Sequence, residues 1–200
     1  AYPHKMLTGR RARLETIRRF GGLAPFPHRK ESEYDVFGTG HSSTSISAAA
    51  GVAAAARQKG EQRRAVAVIG DGGLTGGMAF EAMNHLGGTD LDVLVVYNDN
   101  DMSISENVGA MREHSARLVK QLGMAQAPHH RRPAARQRTE PTTDDTGALF
   151  ETLGLHYHGP IDGHDIDALL SAMAQLAEVR GPKLLPVSYT HLTLPTISSV

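Results

Sequence analysis

Two hundred residues are enough for one α/β domain with a buried core. Lysine plus arginine (21) equals aspartate plus glutamate (21), so no global field recruits nucleic acid or an acidic membrane. The absence of cysteine excludes disulfides, thiolate metal centres and cysteine nucleophiles.

Residues 1–38 are rich in Arg, Gly and Pro, and the stretch GGLAPFPHRKESEYD within them reads as loop. GTGHSSTS is a small-residue turn that leads into an expected helix from about Ser45 to Lys59, whose Ala and Gly faces allow neighbouring helices to approach closely. AVAVIG (65–70) is a continuous apolar, β-prone run, the pattern of a parallel strand buried on both faces. GDGGLTGG (70–77) interrupts it as a glycine turn, MAFEAMNHL (78–86) is helical in pattern, and LDVLVVYND (91–99) is a second buried strand. Strand, turn, helix and strand in this order predict a βαβ unit with parallel strands and a right-handed crossover. SENVGAMREHSARLVKQL (105–122) predicts a further helix, whereas residues 123–147 have no apolar period and read as an irregular linker. Order is expected to return over 148–185, where a strand-like YHGPID precedes a helix with apolar positions Ile166, Leu169, Leu170, Met173 and Leu176. The fold class is therefore α/β, a parallel sheet flanked by helices. No apolar run approaches the roughly 18 residues of a spanning helix, and no signal peptide is visible, so a cytoplasmic protein without membrane or nucleic-acid partners is expected.

In an open parallel sheet, ligands bind where loops leave the carboxyl ends of the strands. If the two central strands are neighbours, Asp71 and Asn100 emerge side by side on one rim. Magnesium takes hard oxygen donors, with one or two carboxylates completed by phosphate and water. Asp71 offers a carboxylate, Asn100 an amide oxygen, and the Met102 carbonyl just beyond a third donor. Gly72 and Gly73 allow the backbone to approach a phosphate, and the N–H groups of the following helix face it. Each motif alone is more often structural, because Asp after a strand commonly caps a helix and Asn-Asp-Asn commonly makes a turn. Together, at βαβ spacing, they point to a metal-bridged diphosphate. Neither a GxxxxGK[ST] loop nor a strand-preceded GxGxxG with its distant acidic residue is present.

GDG followed by a helix, a strand and NDN resembles the thiamine-diphosphate motif of transketolase-like enzymes. YPHKMLTGR, GGLAPFPHRKESEYDVFGTGHSSTSISAAAG, IGDGGLTGGMAFEAMNH and VVYNDNDMSISENVGAM together resemble the 1-deoxy-D-xylulose-5-phosphate synthase family. The resemblance covers 1–122 and resumes over about 148–185. It implies thiamine diphosphate and Mg2+ as cofactors, Asp71, Asn100 and the Met102 carbonyl as metal ligands, and Gly72 and Gly73 against the diphosphate, with Asn100 also counted among the cofactor contacts. It further implies that Gly40, His41 and Ser42 form a second loop against the cofactor, with His41 the one candidate for a catalytic role. The implied reaction joins pyruvate, with loss of carbon dioxide, to glyceraldehyde 3-phosphate, giving 1-deoxy-D-xylulose 5-phosphate for isoprenoid, thiamine and pyridoxal synthesis. The implied complete enzyme is a homodimer.

The expected organisation is thus a diphosphate- and magnesium-binding domain over 1–122, a linker over 123–147 that departs from the family, the remainder of the same domain over 148–185, and a non-native tail over 186–200 adding little to the core. The family's upstream histidine and its pyrimidine-binding domain with an activating glutamate are not in this sequence, so the chain alone is expected to be inactive. A phosphate- or nucleotide-binding module and an inactive truncated product are the alternatives. His164 is ambiguous, since Asp162 beside it is equally suited to capping the helix that follows.

Overall fold

The computed structural model describes residues 1–100 and 147–189. The helix expected at 105–122 and almost all of the linker expected at 123–147 lie outside them. The chain divides into two compact units, Ala1–Thr44 and a second beginning at Ser45. A single domain over 1–122 was expected, and the boundary falls just before the helix that starts at Ser45.

The second unit is a parallel sheet with helices on both faces. Its described elements are α2 (Ser45–Gln58), β1 (Ala65–Gly70), α3 (Asp71–Leu74), α4 (Gly77–Gly87), β2 (Val93–Asp99), α5 (Ala148–Thr152), β3 (His156–Tyr157), β4 (Ile161–Asp162), α6 (Ile166–Glu178) and β5 (Lys183–Ser188). The order across the sheet is β1-β2-β5-β3, with β4 also paired to β5. Every pairing is parallel. β1 and β2 are neighbours from Ala65 beside Val93 to Gly70 beside Asn98, as the βαβ reading requires.

One face of the sheet is closed by α2 and α4. Ile46, Ala49, Ala50 and Ala53 of α2 and Ala79, Ala82, Met83 and Leu86 of α4 pack on Ala65, Ala67 and Ile69 of β1 and Val93, Val95 and Tyr97 of β2. Alanines on both helices bring the helix backbones close to the sheet. Phe150 completes this layer, stacked on Tyr157 with ring centroids 6.1 Å apart. On the opposite face α6 lays Ala172 and Leu176 on Leu185 and Val187 of β5, beside Leu94 and Val96 of β2.

One expectation is corrected by where α6 sits. β1 is buried on one face only: Val66 and Val68 are 54% and 63% exposed, and α6 packs on β2 and β5. On α6 itself Ala172 and Leu176 are buried and Leu169 is half-buried, whereas Ile166, Leu170 and Met173 are exposed.

β5 also continues to Ser188, past the expected boundary at Leu185, and Pro186, Val187 and Ser188 are buried. Residues 186–188 therefore belong to the core. Proline cannot donate to a sheet ladder, and here the missing donor falls at a break. Leu184 and Ser188 turn their carbonyls to the β3/β4 side, accepting from the N–H groups of His158 (3.0 Å) and Gly163 (2.7 Å). Pro186, between them, faces the gap between β3 and β4, where Gly159 passes so closely that a Cβ on it would lie 3.1 Å from the Pro186 ring.

The first unit comprises α1 (Tyr2–Lys5), helical turns over Met6–Arg10 and Arg11–Thr16, and irregular chain to Thr44. Its interior is ionic. The Arg10 guanidinium forks onto both oxygens of Asp35 (2.7 and 2.8 Å) and donates to Glu31 (2.8 Å). Lys5, fully buried, donates to the same Glu31 oxygen, and His4 Nε2 lies 2.8 Å from Asp35. The remaining carboxylate lone pairs accept backbone N–H groups from Ala24 (2.7 Å) and His28 (2.8 Å). The Arg10 hydrogen bond holds the Asp35 carboxyl well below the usual range against the opposing effect of burial, with the His28 N–H and His4 assisting. Burial pushes Glu31 up, but Lys5, the Ala24 N–H and Arg10 together bring it below its ordinary value.

Four expected outcomes follow. Carboxyls whose folded values are depressed contribute stability that is complete above their unfolded values, about pH 4, and lost as pH falls through the lower folded ones. The hydrogen-exchange protection factors of residues 24–39, corrected for the intrinsic pH dependence of exchange, should therefore fall below about pH 4, and Arg10→Met, which leaves Asp35 only His4 and Glu31 only Lys5 as cationic neighbours, should loosen this unit at neutral pH by on the order of 3 kcal/mol. In the second unit, the end of α4 touches the chain after α5: a Cβ on Gly87 would lie 1.6 Å from the Leu153 carbonyl oxygen, and Gly154 has φ +88°. Gly87→Ala should cost about 1–3 kcal/mol in chemical denaturation, whereas Gly51→Ala, in open space on α2, should stabilise by about 0.5–1 kcal/mol.

Candidate functional site

Parallel strands leave their carboxyl ends on one rim. Since Gly70 lies beside Asn98, the residues leaving β1 and β2 there are Asp71 and the run from Asp99 to Asn100. Ser188 of β5 lies beside Asp99, and Asp162 of β4 beside Ser188. Four strands thus deliver polar residues to the same end of the sheet, which is where ligands bind in such folds.

Asp71 is 5% exposed and begins α3 directly after β1. The expected glycine turn is one turn of helix. Gly72 lies inside it, its carbonyl accepting the Thr75 hydroxyl at 2.7 Å. Gly73 folds back over β1 so tightly that a Cβ there would stand 3.2 Å from Ile69 Cγ1. A side chain at this position would press on Ile69, so glycine eases the tight turn of α3 off the strand with Asp71 at its root. Asn100 is half-buried immediately past β2. Met102 lies outside the described residues.

This donor chemistry fits magnesium: one carboxylate and one amide oxygen, both hard, leave net positive charge on the ion for phosphate oxygens. Among the described residues there is no cluster of three or more His, Cys, Asp or Glu suited to a metal ion. A zinc-type cage is therefore not what these residues build; an ion shared between a few protein oxygens and a phosphate matches them better.

Gly40, His41 and Ser42 belong to the first unit and are exposed. The stretch leading to them is hung on the ionic interior, with the Thr39 N–H donating to the Pro27 carbonyl at 3.1 Å and the His28 N–H to Asp35. His41 Nδ1 lies 2.7 Å from the Ser42 carbonyl. A carbonyl only accepts, so Nδ1 is the donor in this contact.

His164 comes to the rim. Its backbone N–H donates to Asp162 Oδ1 (2.8 Å), and its ring meets the Tyr189 ring edge-on at 6.4 Å. The Tyr189 hydroxyl in turn lies 3.4 Å from Asn98 Nδ2. The cap of α6 is Asp165, which accepts the Ala168 N–H at 2.9 Å; Asp162 instead turns the chain at His164. The Asp165–Ala168 spacing was a readable capping signal.

Two residues without an assigned role in the sequence also belong to this rim. Asp99 is 1% exposed and, alternating with Val93, Val95 and Tyr97, lies on the face of β2 packed by α2 and α4. Its carbonyl accepts the Tyr189 N–H at 3.0 Å. Nothing in the local pattern distinguishes Asp99 from a turn residue, and Tyr189 fell in the stretch set aside as a tail.

The family model described as 1-deoxy-D-xylulose-5-phosphate synthase matches residues 1–189 of this chain. The match includes residues 186–189, expected to lie beyond the family's sequence. Among curated relatives, the 1-deoxy-D-xylulose-5-phosphate synthase of Alkalilimnicola ehrlichii is 55% identical over 199 residues, covering 93% of this chain and 32% of the relative. Those of Nitrosococcus oceani and Methylococcus capsulatus are 50% and 52% identical over 200 residues, each covering 94% of this chain and 31% of the relative. The chain thus spans about a third of the length of these relatives. With the parallel β1–β2 pair, the buried Asp71 and this identity along the chain all in hand, the protein belongs to the 1-deoxy-D-xylulose-5-phosphate synthase family.

Proposed function

We propose that this chain is the part of a 1-deoxy-D-xylulose-5-phosphate synthase that holds the diphosphate of thiamine diphosphate through Mg2+. The observation that carries the reading is the β1–β2 register, which brings Asp71 and Asn100 to one rim in a chain of this family. In the complete enzyme the reaction is the decarboxylating condensation of pyruvate with glyceraldehyde 3-phosphate. Thiamine diphosphate, when bound, supplies the nucleophilic carbon and the electron sink.

The roles of this chain's residues follow from their chemistry. Asp71 supplies the anionic oxygen to the ion, Asn100 a neutral one, and the Met102 carbonyl a third. A single carboxylate leaves net positive charge on the ion for the diphosphate oxygens. Gly72 and Gly73 keep the approach to the phosphate oxygens free of side chains. Family membership assigns Gly40, His41 and Ser42 to a second loop that contacts the cofactor. Homodimeric assembly and a cytoplasmic location belong to the same reading and rest on family membership; no described helix is long and apolar enough to cross a membrane.

Asp71→Asn keeps the shape of the side chain and removes its charge. Calorimetric titration of the chain with thiamine diphosphate should show binding that requires Mg2+, and the variant should bind at least about tenfold more weakly with its unfolding midpoint nearly unchanged. Tighter binding of a nucleotide diphosphate than of thiamine diphosphate would instead assign the rim to a general phosphate-binding module.

A further inference from the structure

Charge is unevenly divided along the chain. Residues 1–44 carry eight Lys and Arg against four Asp and Glu, a balance of +4 in a chain whose total is zero. Two of those four carboxylates, Glu31 and Asp35, are consumed inside the unit by Lys5 and Arg10. The excess cations are not scattered. Arg13, Arg18, Arg19 and Lys30 line one open hollow of about 810 Å³, together with Phe20 and Pro25. Glu31 is the one acid in its wall, and both its oxygens are already engaged. Among the described residues, none of the four cationic side chains makes an ion pair or hydrogen bond.

The backbone under this hollow is tightly built. The loop over residues 16–23 is closed by the Arg18 N–H to the Leu23 carbonyl (2.9 Å), the Arg19 N–H to the Thr16 carbonyl (3.1 Å) and the Leu23 N–H to the Thr16 hydroxyl (3.2 Å). Gly22 passes so close to Thr16 that a Cβ would lie 2.0 Å from its carbonyl oxygen. Arg18 itself is held at φ +66°, a left-handed conformation that a side-chain-bearing residue adopts only at a cost. Arg18 and its neighbour Arg19 both line the hollow. Gathering like charges there adds repulsion, which an anion with several acceptor oxygens relieves through charge-assisted hydrogen bonds.

We propose that this hollow is a binding site for a small phosphate monoester, the phosphate held by Arg18 and Arg19 with Arg13 and Lys30 in support, and the carbon skeleton against Phe20 and Pro25. The four cations surround a hollow and do not form an extended stripe, which suits a compact anion better than a nucleic-acid backbone. The site lies wholly within the first unit and does not rest on the diphosphate reading.

The test titrates the 200-residue chain, stripped of divalent cations with a chelator, with glycerol 3-phosphate and with inorganic phosphate at constant ionic strength, followed by calorimetry. Saturable one-site binding is expected, weakened about tenfold or more in Arg18→Gln/Arg19→Gln and unchanged in Asp71→Asn. Both arginines are exposed, so circular dichroism of the double variant should match the parent. Absence of saturable binding overturns the proposal. So does binding that survives in the arginine variant and is lost in Asp71→Asn, which would locate the phosphate on the sheet rim. Equal competition by acetate also overturns it, since the hollow would then be a receptor for carboxylates.

Discussion

The geometry of the rim depends on the parallel pairing of β1 with β2. Side chains alternate along a strand, so a slip of one residue would shift the end of β1, and Asp71 after it, against Asn98 and put Val66 and Val68 into the layer packed by α2 and α4. The register is held by that layer: the small Ala65 and Ala67 lie under the helices, beside the larger Val93 and Val95. β2 is also paired along its whole length by β5 on its other side, so its carboxyl end has little freedom to shift. Packing at one end of the sheet thereby positions chemistry at the other.

The two units are held together by different physics. From Ser45 onward a hydrophobic layer on each sheet face does the work. In residues 1–44 the one buried apolar side chain is Leu23, and the interior is instead Lys5, Arg10, Glu31 and Asp35. Burying charges is costly, and the arrangement persists because the carboxylates are met by cations and by backbone N–H groups as well. An ionic interior fixes directions more narrowly than an apolar one, since a guanidinium fork accepts a carboxylate in few orientations. That suits a segment with no sheet of its own that must still present defined turns at Arg18–Gly22 and Gly40–Ser42.

Local patterns were the readable part of this protein. AVAVIG was legible as β1 to the residue, and α2 and α4 were legible to within a residue or so, because apolar periodicity and glycine interruptions act over one or two turns of chain. The prominence of Asp71 was also legible, since an acid directly after a buried strand and before glycines is a local arrangement. Where the reading was corrected, a distant partner was responsible. Whether Val66 is buried depends on how far α6 extends across the sheet. Pro186 read as the start of a foreign tail because the residues after Leu185 depart from the family's pattern, and the gap between β3 and β4 that accommodates it is a property of three strands together.

By itself, then, the sequence determined the order of strands and helices, the parallel connection between the two main strands and the family to which the motifs belong, because each is written in contiguous residues. Only the tertiary structure decided that Tyr189 and His164 meet near Asn98, that Asp99 is buried, and that Arg13, Arg18, Arg19 and Lys30 line one hollow. These residues are brought together by strand register and by loop closure, and neither leaves a mark in the spacing of the residues it joins.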